Sequence, residues 1–325
     1  MTAPIFRAER SDEIRAQLVH MSNSERLNAT SEPVASREPS KHRRLYFTLA
    51  ASVAVALVGT IGIHQTATSA QANSVLHDLR NVSMSYSDLP VGPEQYLEIE
   101  QLGIDQNCSA ADGEDPVCER SQIRGQRTFM PGDGKQEWAI QQVDNSDPTL
   151  EEVLHAPDGE FYGSNAELTS LLGNASDGET LYEFVDRTYR GGSLNRDESN
   201  FVRLSDALLT GTIPSPQRAA FYDALTRVPG VTVSLDVQTL DGLSGIAIGR
   251  TEPLRLGERE EIIVSPESGQ VIGTRKFMTM AVMGYGKNEV IAESSIGYSV
   301  VNDVPAATRK VDWMNFEGGF EVPSK

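Results

Sequence analysis

The side chains able to do acid–base, nucleophilic or metal chemistry are scattered along this chain. Five histidines, His20, His42, His64, His77 and His155, match no zinc-finger or zincin spacing. The nearest approach to a nucleophile elbow is "DGLSGIAIG" from Asp241, but Ser244 lacks the G-x-S-x-G frame and the glycines read as a tight turn. With no Walker loop and no G-x-G-x-x-G, no cofactor is expected. The 46 Asp and Glu residues are too many for any two to stand out as an acid–base pair. The expectation is a binding protein and not an enzyme, with an exported hydrolase carrying perturbed carboxyls in a cleft as the distant alternative.

Two cysteines, Cys108 and Cys118, lie in "NCSAADGEDPVCER". In an oxidising compartment they are expected to form one disulfide closing a short surface loop. Asp112, Glu114 and Asp115 inside that loop do not match a calcium-loop spacing and read as a solvated acidic turn.

The stretch "KFMTMAVMGYG" from Lys276 is apolar on both faces of an expected strand. Met278, Met280 and Val282 on one face could line a lipophilic pocket, since methionine adapts to irregular ligands. A central strand covered on both sides is the plainer reading. The tail "DWMNFEGGF", with Trp313, Phe316 and Phe320, reads as docking on its own domain or on a partner.

These groups are placed by topology. The 19 residues from Leu45 to Ile63 carry no charge, and a helix of that length approaches the ~30 Å hydrocarbon core of a bilayer. Lys41, Arg43 and Arg44 flank its N-terminal side, which sets the N-terminus in the cytoplasm and the bulk of the chain outside, as a single-pass protein of the plasma membrane. A signal peptide cleaved after Ala70-Gln71-Ala72 is the rival; the run exceeds a usual h-region and 44 residues precede it. Residues 1–44 hold eight Lys/Arg and six Asp/Glu, which leaves 20 basic and 40 acidic residues beyond them. A charge of about −20 there repels nucleic acid and anionic lipid headgroups, so no nucleic-acid partner is expected.

The first 44 residues are too few for a core of their own. Ser11, Asp12 and Glu13 start a short helix whose Ile14, Leu18 and Met21 share a face, before a flexible linker over Ser22–Ser40. Ile14 and Leu18 are the candidate contacts for a cytoplasmic partner.

Residues 64–325 read as an exported α+β domain, with two subdomains at 72–160 and 161–325 as a possible division. After a helix around Ala72–Val82, "QYLEIEQLGI" alternates, placing Leu97, Ile99 and Gln101 on one side; "QRTFM" and "QEWAIQQV" add strands. Four helices follow: one capped at Ser164 and stopped by Gly173, one capped at Ser176, one over Asp197–Thr210, and one capped at Ser215 with Pro216 in its first turn. Then come β-branched segments in a meander, with Pro266 and Gly269 bracketing a hairpin turn. The whole reads as one transmembrane helix followed by a curved antiparallel sheet, or two sheet portions, with about four helices packed on one face.

The basic-flanked anchor, "VGPEQYLEIE", "AAFYDALTRVPGV", "DGLSGIAIG" and "EEIIVSPESGQVIGTRKF" together resemble an actinobacterial family of uncharacterised single-pass membrane proteins, often encoded beside sigma factors. The resemblance covers most of residues 41–303. The family's Asp-Pro-x-Thr-Gly hairpin reads Ser265-Pro266-Glu267-Ser268-Gly269 here, and its motifs concern fold and not catalysis. It implies exported topology. The exported part also resembles the half-barrel of periplasmic lipoprotein carriers and of sigma-regulatory periplasmic proteins, an analogy of fold alone.

Two functions follow as expectations. One is a membrane-anchored sensor whose exported domain binds an envelope ligand while Ile14 and Leu18 contact a cytoplasmic regulator such as a sigma factor. The other is a tethered carrier or scaffold for lipophilic envelope molecules.

Overall fold

The computed structural model describes residues 69–109, 116–133, 136–144, 152–159 and 166–310. The expected cytoplasmic helix with Ile14 and Leu18, the apolar run Leu45–Ile63, the acidic tip at 112–115 and the aromatic tail from Trp313 lie outside these residues. Among the described residues no helix is long and apolar enough to cross a membrane.

Period-two alternation builds the sheet. Its strands are β1 (Tyr96–Ser109), β2 (Val117–Arg120), β3 (Arg124–Pro131), β4 (Trp138–Asp144), β5 (Val153–Ala156), β6 (Val231–Gln238), β7 (Ser244–Glu252), β8 (Glu258–Val264), β9 (Val271–Met278), β10 (Glu289–Val301) and β11 (Arg309–Lys310). They lie in the order β11-β5-β4-β3-β1-β10-β9-β8-β7-β6, with β2 folded back on the far end of β1. Every pairing is antiparallel except that of β11 with β5. β1 is central, pairing with β3 on one side and from Tyr96 to Asp105 with β10 on the other. The strand regions before and after the helices therefore belong to one sheet.

Five helices cover one face of it: α1 (Ser69–Ser85), α2 (Ala166–Gly173), α3 (Gly178–Arg187), α4 (Arg196–Leu209) and α5 (Ser215–Leu225). In α1 the buried Ala72, Leu76, Leu79 and Ser83 recur at helical spacing and form a stripe. That stripe packs with Phe221, Tyr222 and Leu225 of α5 and with Leu97, Ile99, Ile248, Ile262 and Ile296 of the sheet in one core. Each fully buried side chain of this size contributes roughly 1.5–3 kcal/mol. Tyr222 and Tyr298, both buried, donate their hydroxyls to the carbonyls of Gly269 and Val271 at 2.7 and 2.8 Å, so two core residues fix the turn between β8 and β9. Burial pushes both phenol pKa values up. Gly269 takes φ +65° in that turn, which glycine adopts at little cost.

Two helix starts differ from the sequence reading. The cap of α3 is Asp177, whose side chain accepts from the Thr180 amide at 2.8 Å, and Ser176 donates to Asp177 instead of capping. Aspartate gains more there because its charge meets the helix dipole. At α5 the Ser215 hydroxyl donates to Tyr86 O, while its amide donates 2.7 Å to Asp88 Oδ2. Asp88 also binds the buried Arg218 at 2.8 Å, so a carboxylate distant in sequence serves as the cap. The other two expected positions fare differently: α4 is capped by Asn195, two residues before the expected start at Asp197, and Ser164 is outside the described residues.

Candidate binding cleft

Leu97, Ile99 and Gln101 occupy alternate positions of β1, and the first two face the helices. Gln101 shares their side. It stands opposite Gln126 of β3, which in turn stands opposite Gln142 of β4. Residues directly opposed in a ladder project from the same face, so three amides form a row across three strands. Gln142 Nε2 donates to Gln126 Oε1 at 3.2 Å, and Gln126 Nε2 to Thr128 Oγ1 at 3.1 Å. The next row holds Gly103, Ser294 of β10 and Thr274 of β9, with the two hydroxyls 2.7 Å apart. Gly103 leaves the floor there without a side chain.

These residues line a solvent-open trough of about 510 Å³ on a part of the face that the helices do not cover. A second chamber of about 220 Å³ lies where α4 crosses the sheet. Its roof is Phe201, Val202, Ser205 and Leu209 of α4, and its floor includes Ile262 and Thr274. Both spaces are lined by Gln101, Thr274 and Ala292, so they meet and form one cleft with a polar trough and a more apolar pocket.

The mouth of the pocket is charged. Lys276 Nζ lies 2.5 Å from Glu260 Oε1 and 3.4 Å from Glu258 Oε1. Burial works against the Lys276 charge, but the hydrogen bond and field of Glu260, with Glu258 behind, outweigh it and hold the ammonium pKa above its usual value. Asp206 of α4 faces the same group. Its side chain still reaches solvent, yet desolvation, reinforced by the Glu260 charge and opposed by Lys276, pushes its pKa up to about 6. Deeper in, Ser205 is 4% exposed, and its hydroxyl has no hydrogen-bond partner among the described residues. Leaving a buried hydroxyl unpaired costs about 1–3 kcal/mol, so its position at the pocket wall is informative. Among the described residues no three His, Cys, Asp or Glu side chains converge closely enough to hold a metal ion.

On the opposite face of the sheet the charges are buried and paired. Glu261 is fully enclosed and accepts from Arg259 Nε at 2.7 Å and from Arg275 Nη2 at 2.6 Å. Strand alternation turns these side chains to the face opposite Glu260 and Lys276, although Glu261 and Arg275 also border the pocket.

No family model matches the chain, and no curated protein matches it. Among solved structures, a LolA superfamily protein from Nitrosomonas europaea aligns at 8% identity over 72% of this chain and 94% of that chain, with a TM-score of 0.16. That score carries no argument for fold or function. The resemblance to the actinobacterial single-pass family thus rests on the quoted motifs alone.

Cys108 and Cys118 are paired as expected, directly opposite each other in the β1–β2 hairpin. Tyr285 from the β9–β10 connection accepts from the Cys108 amide at 3.0 Å and anchors the hairpin. Met278, Met280 and Val282 do not share a strand face. β9 ends at Met278, which is buried; Met280 is exposed in the following turn and Val282 bridges to Tyr285. The chain turns because Met283 and Gly284 adopt positive φ, and none of the three residues lines the cleft. His155 is structural, its Nε2 lying 2.9 Å from Pro305 O.

Sequence reasoning placed Gln101 on the Leu97 side but did not connect it with Gln126 and Gln142. A glutamine breaking an apolar series on a helix-facing side is the signal that was available. Ser205, Asp206, Glu260 and Lys276 carry no such mark, because only the docking of α4 onto β8 and β9 brings them together.

Proposed function

We propose that this chain is a membrane-tethered binding protein of the cell envelope whose cleft receives an amphiphilic molecule. The observation that carries the reading is the continuity of the glutamine-lined trough with the pocket under α4. A row of half-buried amides offers donors and acceptors in fixed positions, which suits hydroxyl or amide groups of a ligand. Phe201, Val202, Leu209 and Ile262 offer apolar surface to its other end. A bare hydrocarbon would leave the amides without partners once water was displaced, so the polar trough favours an amphiphile over a purely lipophilic cargo.

The tether is the expected span Leu45–Ile63, leading into α1. Release and capture of the ligand outside, with Ile14 and Leu18 engaging a cytoplasmic regulator, would make the protein a sensor; without that contact it is a tethered carrier.

The test is to extract the full-length chain from its native membranes into nanodiscs and examine it by native mass spectrometry. A retained small molecule, lost in Val202→Trp, where the indole fills the pocket, supports the reading. A chain that carries nothing and takes up nothing from a total lipid and glycolipid extract of those membranes would overturn it. Substituting Asp for both Ile14 and Leu18 separates the two forms: loss of a cytoplasmic protein on co-purification marks the sensor, and unchanged interactions mark the carrier.

A further inference from the structure

The unpaired Ser205 hydroxyl and the charge imbalance at the pocket mouth together indicate what the ligand carries. Three carboxyl groups, Asp206, Glu258 and Glu260, face a single ammonium, Lys276, at the opening of the chamber. With all of them ionised the group holds two uncompensated negative charges. Of the other cations nearby, Arg275 directs its guanidinium to Glu261 on the far side of the sheet, and Arg255, whose field reaches Glu258 and Glu260, is itself neutralised by its ion pair with Glu198, so the imbalance stays. Lys276 makes its close ion pairs with Glu260 and Glu258 and acts on Asp206 only through its field, which leaves Asp206 as the carboxylate without an ion pair of its own.

From this arrangement we infer that the pocket under α4 is an amine-binding subsite, in which a primary ammonium group of the ligand pairs with Asp206 and Glu260 and donates to Ser205 Oγ. The inference rests on the cleft being a binding site and adds the chemistry of its occupant. An ammonium has three donors, and two carboxylates plus one hydroxyl supply three acceptors. A metal ion would need several oxygens at about 2.0–2.6 Å from one point, which the described side chains do not provide. An anionic ligand is repelled. The ammonium also relieves the repulsion between Asp206 and Glu260, so it binds best when Asp206 is ionised. The charged groups acting on Asp206 are Glu260 from β8 and Lys276 from β9, with Glu258 beyond them on Lys276. Amine binding therefore weakens as pH falls through about 6, where Asp206 takes up its proton.

The full-length chain in nanodiscs is titrated with hexylamine, hexanol and hexanoate by ligand-observed NMR, with empty nanodiscs as the blank. Hexylamine is expected to bind about tenfold more tightly than hexanol, and hexanoate more weakly than either. Asp206→Asn and Glu260→Gln should each cut the amine preference severalfold while leaving hexanol unchanged, and Ser205→Ala should weaken hexylamine severalfold. Lowering the pH from 7.5 to 5 should reproduce the Asp206→Asn result in the unaltered chain. Equal binding of amine and alcohol, or a preference that survives both carboxyl substitutions, overturns the subsite. If Val202→Trp blocks all three probes and none is preferred, the subsite falls and the cleft stands. If that substitution blocks none of them, or no probe binds, both fall.

Discussion

Gln142 donates a hydrogen bond from its Nε2 to Gln126 Oε1 at 3.2 Å, so the amides of two neighbouring strands are oriented by each other on the part of the helix-bearing face that the helices do not cover. Gln101 extends the row to the centre of the sheet. The energetic reason for such a row is not the core, since the three residues are only half-buried and contribute little apolar area.

Replacing Gln126 with Leu should therefore leave stability nearly unchanged and weaken the ligand. The loss of one or two hydrogen bonds at about 1 kcal/mol each corresponds to roughly 5- to 30-fold in affinity. Thermal unfolding alongside a binding isotherm checks both halves of the expectation.

Asp206 links stability to pH. Its carboxyl holds its proton up to about pH 6 in the folded chain, against about 4 when unfolded, so the folded state binds more protons in between. Its contribution is thus most favourable at low pH and is lost as pH rises from about 4 through 6. Asp206→Asn removes that loss: the variant should melt slightly higher than the unaltered chain at pH 7. The gain stays below about 1 kcal/mol because the group reaches solvent, and it should vanish below pH 4. A set of melting curves from pH 3.5 to 7.5 reads this directly.

Glu261 neutralises two guanidinium groups in a fully enclosed setting. Glu261→Gln leaves Arg259 and Arg275 buried without their anion and should cost about 3–5 kcal/mol. Replacing all three residues by apolar ones of similar size should restore most of it. Urea unfolding midpoints decide, and a mild effect of the single change would show that the cluster is less tightly closed than its geometry indicates.

Asp88 does two jobs at α5, accepting from the Ser215 amide and pairing with Arg218. Asp88→Ala should cost about 2–4 kcal/mol, since it strips a helix cap and leaves a buried cation. Asp88→Asn retains an acceptor for the amide and should lose about half as much. Equal losses in the two variants would assign the whole effect to the ion pair.

Much of the scaffold was legible because it follows local rules. The alternation in "QYLEIEQLGI", Pro216 opening α5 and Gly269 in its turn each declare their structure within a few residues. The caps at α3 and α5 were misread for a physical reason: Asp177 outcompetes its neighbour Ser176 through its charge, and Asp88 reaches α5 from 127 residues away. The methionine-rich stretch misled through composition, since apolar residues continue past Met278 while the backbone turns at Met283 and Gly284. The cleft was invisible because its members come from α4, β1, β3, β4, β8, β9 and β10, and no sequence spacing encodes their meeting.

The most direct test of the cleft places a photo-reactive benzoylphenylalanine at position 126, on the cleft side, and at position 127, where Arg127 faces the other way and binds Glu100. Irradiation is carried out in the native cells, and the intact full-length chain is weighed. A discrete small-molecule adduct at 126, absent at 127 and absent from 126 when Val202 is also changed to Trp, is the predicted result. No adduct at 126, or the same adduct from both faces, would contradict the account.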